Sequence, residues 1–391
     1  QESSLRPSLS RRVLNTDPAH IEIILSRFAN LPDRPANLAQ GVAFWGPPKT
    51  ALATLAKSDG DDAGKMPPLE QTRMHRYGDI LGDPELRAAI ARKLISRNGL
   101  DLAEQEIMVT AGANQAFVNV ALALLDPGDV AILPRPYYCS HLCALQLAGA
   151  TPVFCGYDPA TLLPDMDELR ALLLGEKNNN EMNGSESHPS LPSRPPPSKM
   201  LVLTSPGNPS GAVLPPSVLS EVAALCRARG VWLVMDETYE DFIHDDGGNG
   251  SDDSGCDGSS GGNVGSTVRG SSGKKHVSPC ARRLSYDGIV HIFSMSKAFG
   301  MAGWRVGYLV YPAWAGPDMQ KVQDTVPTCA SMASQQLALA CLTVVDDSFG
   351  ARWIARRVAG LARPREALWA AVRHTGAVRG GGAFYYLVPL P

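Results

Sequence analysis

At about 150 residues per domain, a chain of 391 residues has room for two or three domains, and 44% apolar residues can build a sizeable core. No apolar run approaches the roughly 20 residues that cross a bilayer, which excludes a membrane-spanning protein. With 36 basic against 39 acidic side chains the net charge is -3, so the broad positive footprint of a nucleic-acid binder is missing and specificity must come from a local site.

The eight cysteines are scattered rather than regularly spaced, which predicts free thiols in a reducing compartment. Cys139 and Cys143 flank His141, but no second Cys/His cluster completes a four-ligand set, so no metal site is expected. The opening SSLRPSLSRR weakly resembles the tail of a transit peptide and lacks an apolar signal core. The expected location is the cytoplasm, with a plastid or another organelle as the alternative.

In chain order, short β-rich runs alternate with helical stretches. IMVT (107–110) leads into the small-residue turn of AGANQAF, and the amphipathic AFVNVALALL follows. A helix opened by such a turn offers free N–H groups to an anion. VAIL (130–133) runs into PRPYY, and TPVF (151–154) follows. A polar, Pro-rich insert is expected over 175–199, with NNN and PSLPSRPPPS inside it and hardly an aliphatic residue.

MLVLT (200–204) leads into SPGNPSG, whose prolines and glycines hold Asn208 in a turn. SVLSEVAALCRARG carries an apolar stripe at helical spacing and a glycine stop. VWLVM (231–235) runs straight into DETYEDF, presenting Asp236 and Tyr239. A second insert, 244–284, contains the Gly/Ser/Asp tract from Asp245 to Gly273, which cannot bury enough apolar area to offset its ordering entropy and is expected to be disordered. IVHIF (289–293) runs into SMSKAFGMAGWRVG, with Ser294, Ser296, Lys297 and Arg305, and VGYLV (306–310) is the seventh run. The fold class predicted is α/β, a mainly parallel seven-stranded sheet sandwiched by helices, with ligands at the carboxyl ends of its strands.

Each signal alone has a bland alternative: a solvated lysine, a capping Asp-Glu pair, a simple turn. Together they put an anion-binding helix start, an arginine, two serines, a carboxylate, a phenol, an amide and a lysine at one sheet edge. Phosphate, a ring nitrogen and an aldehyde would use them all.

SMSKAFGMAGWRVGY resembles the lysine signature of the class I/II pyridoxal-phosphate-dependent aminotransferases of fold type I. TSPGNPSGAV and DETYEDF are similar to that family's asparagine and aspartate/tyrosine segments, and RYGDILGDPELRAAIA, VTAGANQAF, DPGDVAILPRPYY and GGAFYY extend the likeness over most of the chain outside the inserts. LAQGVAFWGPPK with VTAGANQAFVN and PRPYY most resembles the plant-type aromatic branch.

The resemblance implies an enzyme with pyridoxal 5'-phosphate as cofactor that moves an amino group between an amino acid, aromatic or methionine, and a 2-oxo acid in two half-reactions. Lys297 would form the Schiff base and shuttle the proton, and Asp236 would keep the pyridine nitrogen protonated. Tyr239 and Asn208 would bond the phenolic oxygen, and Tyr138 would stack on the ring. Ala113, Asn114, Ser294, Ser296 and Arg305 would hold the phosphate, with packing as the alternative for Ala113 and Ser296. Gly41 would line the substrate pocket, Asn208 would also touch substrate, and Tyr77 would reach the neighbouring subunit of a homodimer. The structural alternatives are a backbone requirement at Gly41 and a core aromatic at Tyr77. Phe44 and Trp45 have a substrate-contact and a core reading.

The domains implied are an arm and part of a small α+β domain over 1–48, a large cofactor domain over 49–320 and a C-terminal part of the small domain over 321–391 that is cut short. The family's carboxylate-binding arginine falls beyond GGAFYY, past Pro391, and neither Arg373 nor Arg379 matches its position. An incomplete chain is therefore expected, with impaired turnover as the alternative. A related lyase using the same cofactor apparatus is the other functional alternative.

Overall fold

The computed structural model describes residues 10–18, 23–24, 26–27, 41–56, 73–175, 197–244, 276–278 and 286–389. Its centre is a sheet of seven strands: β1 (Gln105–Thr110), β2 (Val130–Pro134), β3 (Thr151–Cys155), β4 (Ser198–Thr204), β5 (Trp232–Asp236), β6 (Ile289–Ser294) and β7 (Gly307–Pro312). The spatial order is β1-β7-β6-β5-β4-β2-β3. β7 runs antiparallel to both neighbours, and the remaining pairs are parallel. All seven apolar runs of the sequence form strands, because a sheet covered on both faces selects continuous rather than alternating apolar stretches.

The two faces read out alternate positions of each strand. Ala131, Leu133, Val202 and Val234 pack toward helices Ala113–Leu124 and Cys139–Ala148, whereas Ile132, Leu201, Leu203 and Leu233 pack toward Met166–Leu174 and Pro216–Arg229. A third cluster joins Val109, Phe293, Tyr308 and Val310 to helices Pro84–Lys93, Met332–Thr343 and Ala351–Ala359. The Pro216–Arg229 helix ends at Gly230 in the left-handed region (φ 65°), the stop read from the sequence.

The expected inserts are trimmed at their edges. Gly175 caps the Met166–Leu174 helix, and Ser198 and Lys199 already belong to β4. Lys199 is drawn in by ion pairs with Asp126 and Asp129. Within 244–284, His244 is buried and hydrogen-bonded, and His276 and Ser278 are buried against Glu237. The expectation of disorder over 176–196, 245–275 and 279–284 lies outside the described residues. Among the described residues, no helix is long and apolar enough to cross a membrane, and six cysteines are free thiols.

Candidate active site

The sheet register gathers the site. Asp236 closes β5 between Thr204 of β4 and Ile292 of β6, while Gly307 at the start of β7 faces Thr110 of β1 on one side and Ser294 of β6 on the other. Because β7 is reversed, its amino end lies at the carboxyl edge of its neighbours, which brings Arg305 to the edge that holds Asp236.

Asp236 is 5% exposed. His141 Nε2 lies 3.1 Å from its Oδ2, and the Thr238 amide donates to Oδ1 at 3.0 Å. Burial alone would raise its pKa, but the His141 hydrogen bond and charge together with Thr238 outweigh it, and the carboxyl is held below the usual aspartate range. A buried anion is thus ready for a cationic partner. His141 is itself fixed by Phe117 (centroids 4.3 Å) and by the edge of Tyr138 (5.3 Å).

Lys297 follows β6 and donates from Nζ to the Gly41 carbonyl at 2.6 Å. Burial first, then the positive charge of Arg305, pushes the amine below the ordinary lysine range, with Asp236 acting in the opposite sense. Lowered basicity makes the unprotonated, nucleophilic form accessible nearer neutrality.

Tyr239 is buried, and its hydroxyl meets that of Tyr385. Burial, Tyr385 and the charge of Asp236 keep the Tyr239 phenol protonated well above its ordinary range. Asn208 sits in the turn after β4, on a narrow cavity shared with Tyr137, His141 and Thr204.

The anion end is built from backbone. Gly112, at φ 85°, precedes the Ala113–Leu124 helix and gives it no side-chain cap, which leaves the helix start to an anion. Arg305 lies directly against it: a Cβ on Gly112 would come within 2.4 Å of Nη2. The guanidinium also donates to the Ala302 and Ala111 carbonyls. Gly307 lets β7 approach the same turn, since its Cβ would lie 2.7 Å from the Ala113 nitrogen. Asn114 is exposed there, and Ser294 Oγ accepts from the Ser296 amide at 3.1 Å.

Gly41 shows the backbone requirement directly. Its carbonyl accepts the Lys297 hydrogen bond, and a Cβ there would overlap the Tyr385 hydroxyl at 2.2 Å. Tyr77 is 89% exposed, which removes the core alternative. Trp45 is core, bonded from Nε1 to the Ala298 carbonyl, while Phe44 at 73% exposure is not. Three features were not assigned from sequence: His141 beneath Asp236, Tyr385 against Tyr239, and a cluster in which buried Glu237 accepts from His276, Ser278 and His291.

The family model "Aminotransferase class I and II" matches residues 47–391. The chain belongs to the class I and II aminotransferases. It is 35% identical over 390 residues to "Aromatic aminotransferase ISS1" of Arabidopsis thaliana, covering 98% of this chain and 82% of that one. It is 30% identical over 316 residues to "Aspartate/prephenate aminotransferase" of Thermus thermophilus, covering 80% and 68%. Among solved structures, Thermus thermophilus aspartate aminotransferase with maleate superposes with TM-score 0.74 at 26% identity, covering 97% of this chain and 85% of that one. For an aromatic aminotransferase from Pyrococcus horikoshii the values are 0.69, 25%, 93% and 82%. The fold and the family expected from the motifs are both met, and this aminotransferase is a transaminase by descent.

Enzymes of this class use pyridoxal 5'-phosphate. The site fits that group on its own chemistry: a glycine-led helix start beside Arg305 suits a phosphate, a buried charged carboxylate suits a pyridinium, and a lysine of lowered basicity suits an aldehyde.

Proposed function

We propose that this aminotransferase moves an amino group between an aromatic amino acid, or methionine, and a 2-oxo acid in two half-reactions, with pyridoxal 5'-phosphate joined to Lys297 as a Schiff base. The cofactor, when bound, supplies a carbonyl carbon that carries the amino group and a ring that accepts an electron pair. Lys297 both anchors it and, once its amine is free, moves the proton at the substrate Cα. Asp236, oriented by His141, holds a proton on the ring nitrogen. Tyr239 and Asn208 serve the phenolic oxygen, and Tyr138 covers the ring. Ala113, Asn114, Ser294, Ser296 and Arg305 bind the phosphate. Gly41 and Asn208 border the substrate. Tyr77 projects to a second subunit of a homodimer, a reading supported by its 89% exposure.

The observation that carries this reading is a lysine of lowered basicity and a carboxylate kept charged at one sheet edge, beside an arginine at an uncapped helix start. The aromatic preference is supported by the likeness to the Arabidopsis aromatic aminotransferase. Adding pyridoxal 5'-phosphate to the purified protein is expected to produce a visible absorbance band that is absent in Lys297→Ala. A colourless wild type would sink the reading. The band is expected to bleach on addition of phenylalanine, tyrosine or methionine; bleaching with aspartate alone would reassign the substrate class.

A further inference from the structure

Tyr385 lies in GGAFYY, a motif to which the functional reading gives no chemical task. Its hydroxyl contacts that of Tyr239, 146 positions earlier in the chain. The contact is enforced from several sides. Tyr239 is 2% exposed and packs edge-to-face on Tyr385 and on Phe384, with centroids 5.4 Å apart in each pair. The Tyr385 oxygen occupies space that a Cβ at position 41 would fill, and the same glycine's carbonyl accepts a hydrogen bond from Lys297 Nζ. Two phenols in contact share one hydrogen bond, so one donates and the other accepts. If Tyr239 donates to Tyr385, its single proton is consumed between the rings. If Tyr385 donates, the Tyr239 proton is free to point into the site, and the accepted bond polarises it further. Asp236 and Tyr138 also face this pair; burial first, against the lowering effect of the Tyr239 hydrogen bond, pushes the Tyr385 phenol up to about 12, so both phenols stay protonated through the working range and either oxygen can donate.

We propose that Tyr385 is a positioning residue that donates its hydroxyl proton to the Tyr239 oxygen and thereby aims the Tyr239 proton at the phenolic oxygen of the cofactor. This rests on the cofactor reading above. A donor on that oxygen draws electron density from the nitrogen joined to Lys297, so weakening it raises the pH at which the nitrogen loses its proton.

The test uses the full chain loaded with pyridoxal 5'-phosphate and follows the visible band through a pH titration in wild type, Tyr385→Phe, Tyr239→Phe and the double variant. Tyr385→Phe is expected to raise the midpoint by roughly half to one pH unit, the worth of one hydrogen bond. In the Tyr239→Phe background, the second change is expected to move it no further. A Tyr385→Phe midpoint equal to wild type, or a shift that adds in full to that of Tyr239→Phe, overturns the relay. A wild type that forms no band overturns the cofactor reading and the relay together, which distinguishes the two failures. In the cofactor-free proteins, urea midpoints complete a cycle: removing the second hydroxyl is expected to shift the midpoint less than removing the first, and full additivity would remove the contact on which the relay stands.

Discussion

Asp236 and His141 divide one task. The carboxylate supplies a charge, and the imidazole supplies the hydrogen bond that keeps the charge affordable in a buried position. Asp236→Asn preserves shape and removes charge, so it is expected to slow turnover by more than about 100-fold, while cofactor affinity changes far less; steady-state kinetics beside a binding titration would separate the two. Asp236 was legible in the sequence because it follows an apolar run at a strand end. His141 was not, since its partner lies 95 positions away and spacing along the chain says nothing about which strand ends become neighbours. His291 did leave a mark: a histidine inside the apolar run IVHIF needs a buried partner, and Glu237 provides it at 2.6 Å. Tyr385 carries no such signal in the sequence, because a phenol's value depends on which oxygen it meets.

At the scale of elements, the reversed strand β7 decides where Arg305 stands, and Gly307 decides how near the Ala113–Leu124 helix start can come. Gly307→Ala would drive a methyl into the Ala113 nitrogen, the Gly112 carbonyl carbon and the Phe293 oxygen at 2.7 to 2.9 Å. These are backbone atoms of two elements that cannot rotate away. The expected outcome is a loss of about 1–3 kcal/mol in urea unfolding together with weakened cofactor binding. The runs themselves were readable as strands, but the reversal of β7 was not, since apolar continuity carries no sign of direction.

His276 and Ser278 both reach Glu237, and burial is more than offset by the hydrogen bonds and charges of His276 and His291, which pull the Glu237 pKa down to about 2. A carboxyl whose folded pKa is depressed contributes stability that is complete above its unfolded value near 4.5 and is lost as pH falls toward the folded value of about 2. The wild-type stability is therefore expected to decline through that window by on the order of 3 kcal/mol from this group. Urea titrations at several acid pH values would show a flatter profile in Glu237→Gln; an unchanged slope would mean that the histidines do not favour the ionised form. Reading all of 244–284 as one insert hid this anchor, because a composition argument averages over a window in which two residues, His276 and Ser278, matter.

For the whole molecule, that anchor restricts which part of the insertion is dispensable. Deleting 245–273 while keeping His276 and Ser278 is expected to leave the visible band of the loaded protein intact, and loss of the band would assign the deleted tract a structural part in the site. The near-neutral charge read at the outset fits a molecule whose positive groups act locally, with Arg305 close enough to lower the basicity of Lys297.

Lys297 reaches back 256 positions to the Gly41 carbonyl, and Tyr239 reaches forward 146 positions to Tyr385. Pairings of such sequence separation carry a large loop-closure cost and form slowly. During synthesis Gly41 leaves the ribosome early and must wait for Tyr385, the residue whose hydroxyl it accommodates. Capture of the cofactor then reports on the late steps of folding: in refolding experiments, the visible band is expected to appear after the central sheet has formed its secondary structure, at the moment the segments around Gly41 and Tyr385 meet.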